Sequence, residues 1–208
     1  RAAYAPGPLE GLAATVMAGA MMLAIYGLVV RHVEGRPVRE LAGRPAAPEF
    51  AGGLLMGFAL YTACVLILMA LGSYRVDGVE GAHVLLTGMA TALATGVYEE
   101  LRFRGTVFRL AEEWFGTWAA LVISSVVFGW AHAGAEGATM QGLVSIAAWA
   151  GPLLAGTYLM TGRLWLGIGL HAAWNDTQGT IWSGVVSGSG PREGFVRSSM
   201  RGSALSCT

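Results

Sequence analysis

An all-α bundle of about six membrane-spanning helices is the fold class this sequence predicts, on three observations. Hydrophobic residues make up 54% of the chain and charged residues only 12%, against about 25% charged in a soluble domain. The mean hydropathy is +0.56. Apolar stretches of about 20 residues, the length that crosses a bilayer, recur along the chain.

The first helix is expected over 10–30. Its apolar run, Leu12 to Val30, is too long for a signal-peptide core and has no cleavage site, so it reads as a retained span. The second, over 50–72, carries Gly53 and Gly57, a small-residue pair that lets helix backbones approach closely in lipid. The third, over 81–110, carries a second such pair, Ala92 and Gly96. It is too long to stand perpendicular, so it tilts or continues along the interface through Arg109, Glu112 and Glu113. The fourth and fifth are expected over 117–133 and 138–161. The sixth, over 164–182, is the least apolar, because it holds His171, Asn175, Asp176 and Gln178. The chain divides into N-terminal helices with a loop (1–80), a core (81–182) and a Gly/Ser-rich tail or loop (183–208). It begins at Arg1 rather than Met and stops within that tail. Both termini are therefore expected to be trimmed, with truncation at the C-terminus.

Several classes are excluded. The net charge is zero and no basic patch marks a nucleic-acid partner. Cys64 and Cys207 are too far apart to suggest a disulfide or a thiol metal site. No pair of matched halves suggests a transporter. The loop 31–49 holds Arg31, Arg36, Arg39 and Arg44 and is the most basic short loop, which places it in the cytoplasm. Arg192, Arg197 and Arg201 of the tail pull weakly the other way.

Three polar clusters interrupt this apolar chain: Glu99-Glu100-Leu101-Arg102-Phe103-Arg104, Phe128-Gly129-Trp130-Ala131-His132 and His171-Ala172-Ala173-Trp174-Asn175. Ionisable groups at bilayer depth cost a few to more than ten kcal/mol, so their presence points to function. Counting about 1.5 Å of rise per residue puts Glu99 roughly 16 Å, His132 roughly 22 Å, His171 about 11 Å and Asn175 about 17 Å along their helices, one common layer. Residues four apart share a helix face. Glu100 and Arg104 are so placed and form an ion pair. Glu99, about 100° round the helix, is left to face the histidines. Phe128 shares a face with His132, and His171 with Asn175.

A carboxylate and an imidazole around a buried water make a general base with its nucleophile. A second histidine with an asparagine can donate to a developing oxyanion. Glu99, His132 and His171 also make a two-histidine, one-carboxylate zinc set. Residue types alone leave both readings open. Asp176 faces away from the His171 stripe and is a supporting candidate. Trp174, inside the third cluster, is expected to line the cavity. Glu136 reads as solvated, and Gly53, Gly57, Ala92 and Gly96 as packing residues.

The ordered motifs E-E-x-x-x-R (Glu99, Glu100, Arg104), F-x-x-x-H (Phe128, His132) and H-x-x-x-N (His171, Asn175), on successive apolar helices from about Gly81 to Trp182, resemble those of the CAAX-protease and bacteriocin-processing (CPBP, or Abi) family. The resemblance implies a multi-helix intramembrane endopeptidase with a cavity open to the cytoplasm. It implies that Glu99 and His132 activate water, that His171 and Asn175 stabilise the oxyanion, and that Arg104 orders the glutamate motif. Members have been described as glutamic-type proteases and as metalloproteases. The glutamic mechanism is favoured here, with no cofactor, and zinc is the alternative. The implied substrate is a protein or peptide, either prenylated or a bacteriocin-like precursor, met in membrane lipid at the bacterial cytoplasmic membrane. A non-catalytic immunity or scaffold protein is the competing reading; complete motifs favour the enzyme.

Overall fold

The computed structural model describes residues 8–189 and 194–200; Arg1, Arg192, Arg201 and Cys207 lie outside them. Helices α1 (Pro8–His32), α2 (Ala46–Ala70), α3 (His83–Arg102), α4 (Arg109–Phe115), α5 (Thr117–Trp130), α6 (Met140–Ser145), α7 (Gly151–Thr161) and α8 (Trp165–Asp176) follow in order. π-helical turns at Phe103–Phe108 and Ile146–Ala150 join α3 to α4 and α6 to α7, and a third at Thr177–Ile181 extends α8. The result is six helical rods near the six places the sequence predicts.

The expected count of six spans is not reached by length and composition. Three helical stretches are long and apolar enough to cross a membrane: Leu9–His32, Ala46–Ala70 and Met140–Thr161. Helix α5 is apolar but has 14 residues, about 21 Å of rise against a hydrocarbon core of about 30 Å. Helices α3 and α8 carry the polar clusters. Helix α8 packs chiefly against α2, and α3 against α8 and α1; α1 and α2 are long and apolar enough to cross a membrane. Polar helices are therefore shielded by apolar ones, and the chain is an integral membrane protein.

The α2–α8 contact is the tightest. A Cβ added to Gly53 would lie 2.3 Å from the Leu166 carbonyl oxygen, and one on Gly57 2.3 Å from that of Leu170. From the other side, a Cβ on Gly169 would lie 2.3 Å from the Phe50 oxygen. Only glycine permits this approach of backbones. Gly96 of α3 likewise sits against Ile168 and Ala172 of α8.

One expectation of the all-α reading is corrected. Val196–Met200, assigned to the tail, forms strand β2, antiparallel to β1 (Tyr74–Val79). Each strand is five or six residues long and pairs with the distant other; the Ser183 hydroxyl also donates to Val196 O at 2.6 Å. The Tyr74 hydroxyl donates to the Trp182 carbonyl at 2.6 Å, tying this ribbon to the end of the α8 rod.

The opposite end of the bundle is closed by charge. Glu40 is buried (2% exposed) and accepts from both Arg36 guanidinium nitrogens at 2.7 and 2.9 Å. Glu34 bridges Arg36 and Arg109, and Arg163 pairs with Glu49. Burial alone would push the Glu40 carboxyl up. Hydrogen bonds from Arg36 and Tyr26 outweigh it and hold the group below the ordinary carboxylate range.

Two outcomes follow for thermal unfolding in detergent. Gly57→Ala overpacks the α2–α8 contact, at about 1–3 kcal/mol, and lowers Tm by several degrees. Gly27→Ala, whose Cβ meets nothing within 4 Å, leaves Tm unchanged or slightly raised. Because the Glu40 carboxyl is held down in the folded state, its stabilisation is complete above the ordinary carboxylate pKa and disappears as pH falls through the lowered value. Glu40→Gln therefore lowers Tm at neutral pH and flattens its acid dependence; an acid limb as steep as the wild type's contradicts that account.

Candidate active site

The site is built on the junction between α3 and its π-helical turn. Glu99 and Glu100 lie in the last turn of α3, and Arg104 lies in the π turn that follows. A π turn breaks the regular i to i+4 ladder and leaves carbonyls to be satisfied from elsewhere. Here Gly105 O accepts from Arg109 Nε at 3.0 Å and from the Tyr26 hydroxyl at 2.8 Å. Phe103 O accepts from Ser124 Oγ at 3.3 Å.

Arg104 and Glu100 are fully buried and pair at 3.0 Å. A second Arg104 nitrogen donates to Gly151 O at 3.1 Å, where another π turn meets α7. Its guanidinium also lies 4.4 Å from the Phe128 ring centroid, a cation–π contact. The other Glu100 partner is His171, whose Nδ1 is 2.8 Å from the same carboxylate oxygen. The i, i+4 spacing discloses the pairing with Arg104; no sequence signal links Glu100 to His171.

Phe128 holds both imidazoles. Its ring stands edge-on to His132 at 5.0 Å and to His171 at 5.9 Å, and to Phe103 at 5.0 Å. His132 Nδ1 is 2.8 Å from Phe128 O. A carbonyl only accepts, so this nitrogen carries the hydrogen and Nε2 of the neutral ring is free. His171 Nδ1 likewise donates to Glu100. Both Nε2 atoms turn toward Glu99: its Oε2 is 3.7 Å from His132 Nε2 and 3.6 Å from His171 Nε2. These gaps exceed a hydrogen bond. Among the described residues Glu99 Oε2 is buried without a hydrogen-bond partner, as is Asn175 Nδ2.

Beside this centre lies a cavity of about 40 Å³, walled by Phe128, Trp149, His171, Trp174, Asn175 and Gln178 among others. A site of about 10–15 Å³ holds a water, so there is room for one. Trp174 lines it, stacked obliquely on Trp149 at 4.6 Å. A smaller cavity, about 10 Å³, lies against His132 and Thr139, and Ile146 and Ser187 line both. Sequence reasoning named Trp149 among tryptophans that could anchor at the interface or line the groove, and missed Gln178 and Ser187 as lining residues. Gln178 was legible, seven residues beyond His171 on one face; Ser187, in an aperiodic Gly/Ser stretch, was not.

Ser187 belongs to the segment 183–189, which folds back over the site. Gln178 Nε2 donates to Val185 O, and Gly137 N to Gly188 O at 2.7 Å. Ser183 and Ser187 hold φ of 54° and 52°, a left-handed conformation costly for non-glycine residues. Asp176 lines neither cavity; it accepts from Thr180 one turn on. Of the residues singled out in the sequence, Asp176 stands apart from the centre.

The segments 131–139 and 183–189 wall the site at the ribbon end of the bundle, opposite the basic loop 31–49. The sequence reading placed that loop in the cytoplasm and also opened the site to the cytoplasm. His171 lies about 10 Å along α8 from Leu164, whose N donates to Glu40 O of that loop, so the centre sits mid-bundle and only the walls 131–139 and 183–189 belong to the ribbon end. Counting along helices gives depth but not the fold-back of segment 183–189.

Residues 81–176 match the family model of the type II CAAX prenyl endopeptidases, Rce1-like. Comparison with curated proteins and with solved structures gave no match. The matched segment contains all seven motif residues, from Glu99 to Asn175, while α1, α2 and the ribbon lie outside it. The match, over just under half of the chain, is to an Rce1-like type II CAAX prenyl endopeptidase domain and is consistent with the CAAX-protease and bacteriocin-processing family.

Proposed function

We propose that this chain is an intramembrane endopeptidase in which Glu99 and His132 activate a water held between them. The observation that carries this reading is the facing set of Glu99 Oε2, His132 Nε2 and His171 Nε2, separated by 3.6–3.7 Å gaps. Each gap is wider than a hydrogen bond, and one water set to the side of the line joining the two atoms could bond both.

In this reading water donates one proton to Glu99 and another hydrogen bond to His132 Nε2. As its oxygen bonds to the scissile carbonyl carbon, Glu99 takes the proton. The carbon–nitrogen bond then breaks as that proton passes to the leaving amine. Asn175 Nδ2, which lacks a partner, donates to the oxyanion. His171 donates as well when protonated at Nε2. Glu100 is then a positioning residue, holding His171 by Nδ1. The substrate is a protein or peptide, and the family match makes a prenylated chain or a bacteriocin-like precursor the first to assay.

A zinc-dependent version is the second reading, and the two Nδ1 hydrogen bonds favour it. Histidine ligands donate their second nitrogen to a carboxylate or backbone carbonyl, as His171 and His132 do. Tetrahedral ligands about 2.0–2.1 Å from zinc lie roughly 3.3 Å apart. No group of three such residues among those described is drawn together as a formed metal site. Glu99, His132 and His171 would fit after closing by a few tenths of an ångström. Bound there, zinc would supply Lewis-acid polarisation and lower the pKa of its water.

Cleavage of membrane-anchored peptides, prenylated and not, by protein purified in detergent tests the function. Glu99→Gln should lower kcat about 10²–10⁴-fold, the range of a lost general base, with Tm retained. Asn175→Ala should cost about 10²–10³ in kcat. Unchanged turnover in Glu99→Gln on a substrate the wild type cuts sinks the assignment. Arg104→Met, which strands Glu100 in the core, should cost about 3–5 kcal/mol of stability and yield little folded protein. Elemental analysis before and after chelation separates the mechanisms: stoichiometric zinc lost together with activity selects the metal reading.

A further inference from the structure

A second apolar cavity lies away from the site and shares no lining residue with the cavities beside it. It is a groove of about 430 Å³ between α1, α2, α3 and α8, walled by Gly19, Leu23, Phe50, Leu93, Val97 and Trp165 among others. Along α1 it runs from Thr15 to Leu23, about 12 Å. Its walls are apolar but for Thr15 and the Trp165 indole. Two of its flanking rods, α1 and α2, are long and apolar enough to cross a membrane, so the groove faces hydrocarbon.

Its rim is the basic loop. Trp165 Nε1 donates to Ala42 O at 3.2 Å, Ala42 N donates to Arg39 O, and Ala46 and Ala47 line the groove itself. Arg39 and Arg44 belong to the loop that forms this rim, three and two residues from Ala42 and Ala46. The neighbouring Arg36, Arg109 and Arg163 are each paired with carboxylates. Arg39 and Arg44 are exposed, and neither has a carboxylate partner among the described residues. Unpaired cations above an apolar slot between membrane helices suit a lipid with an anionic head, and an indole at the rim suits headgroup depth.

We propose that this groove binds one acyl chain of an anionic phospholipid, with Arg39 and Arg44 holding its phosphate. An isoprenoid chain alone would leave both arginines unused. The site is independent of the protease reading. By way of Val97, two residues from Glu99, and Ile168, three from His171, it backs onto the helices that carry the catalytic candidates.

The test needs no substrate. Delipidated full-length protein is titrated with dioleoyl phosphatidylglycerol, dioleoyl phosphatidylcholine or farnesol in one detergent, reading native mass spectra and Tm. Phosphatidylglycerol should be retained at one per chain, raise Tm by several degrees, and bind about tenfold or more tighter than phosphatidylcholine. Arg39→Gln with Arg44→Gln should bring the two phospholipids level. Gly19→Leu should remove both, because a Cβ there meets nothing within 4 Å and the side chain enters the groove. Equal affinity for the two phospholipids in wild type, or a preference that survives the double arginine variant, overturns the proposal. Farnesol binding more tightly than phosphatidylglycerol also overturns it and assigns the groove to an isoprenoid. If Gly19→Leu does not fold, the arginine variant, altered only at exposed positions, decides alone.

Discussion

The buried pair of Glu100 and Arg104 is the constraint on which the centre of this molecule depends. Neither side chain meets solvent, and removing one partner from such a pair costs several kcal/mol because the other is left charged and unpaired. The pair is more than a contact within one helix. Through Gly151 it reaches the α6–α7 rod, through Phe128 it reaches α5, and through His171 it reaches α8. Four rods are thus registered on one ion pair, and the His171 imidazole is held by it.

The π-helical turns make that registration feasible. Each interrupts a long rod near the polar layer and frees backbone carbonyls where water is scarce. Those carbonyls become acceptors for side chains: Gly105 for Tyr26 of α1 and for Arg109 of its own rod, Gly151 for Arg104. Unpaired backbone groups in lipid cost several kcal/mol each, so these side chains are held where they are needed. Helix α1, outside the family-matched segment, grips the turn after Glu100 in this way through Tyr26, which Glu40 of the following loop holds in turn.

Apolar and polar tasks are divided among the rods. Helices α1, α2 and α6–α7 meet the length and hydropathy of membrane spans, whereas α3 and α8 carry the ionisable groups. The close α2–α8 approach through Gly53, Gly57 and Gly169 covers one side of α8, and α3 covers another. Its His171–Asn175 stripe is left to face the cavity. The same division explains why a hydropathy measure finds fewer spans than the helical rods number: the site's own polarity lowers the hydropathy of the helices that hold it.

The sequence by itself determined what is local. Apolar runs placed six rods to within a few residues, and spacing of four gave the Glu100–Arg104 pair, the shared face of His171 and Asn175, and the close-packing glycines. Depth counting brought Glu99, His132 and His171 into one layer. Tertiary structure alone decided what depends on how rods cross. The contact of Glu100 with His171 spans 71 residues and that of Arg104 with Gly151 spans 47. Helical period carries no information on such pairs. The β1–β2 ribbon and the fold-back of 183–189 are of the same kind. Each rests on backbone partners supplied by a distant segment, and so was set by assembly of the bundle rather than by any stretch of its sequence.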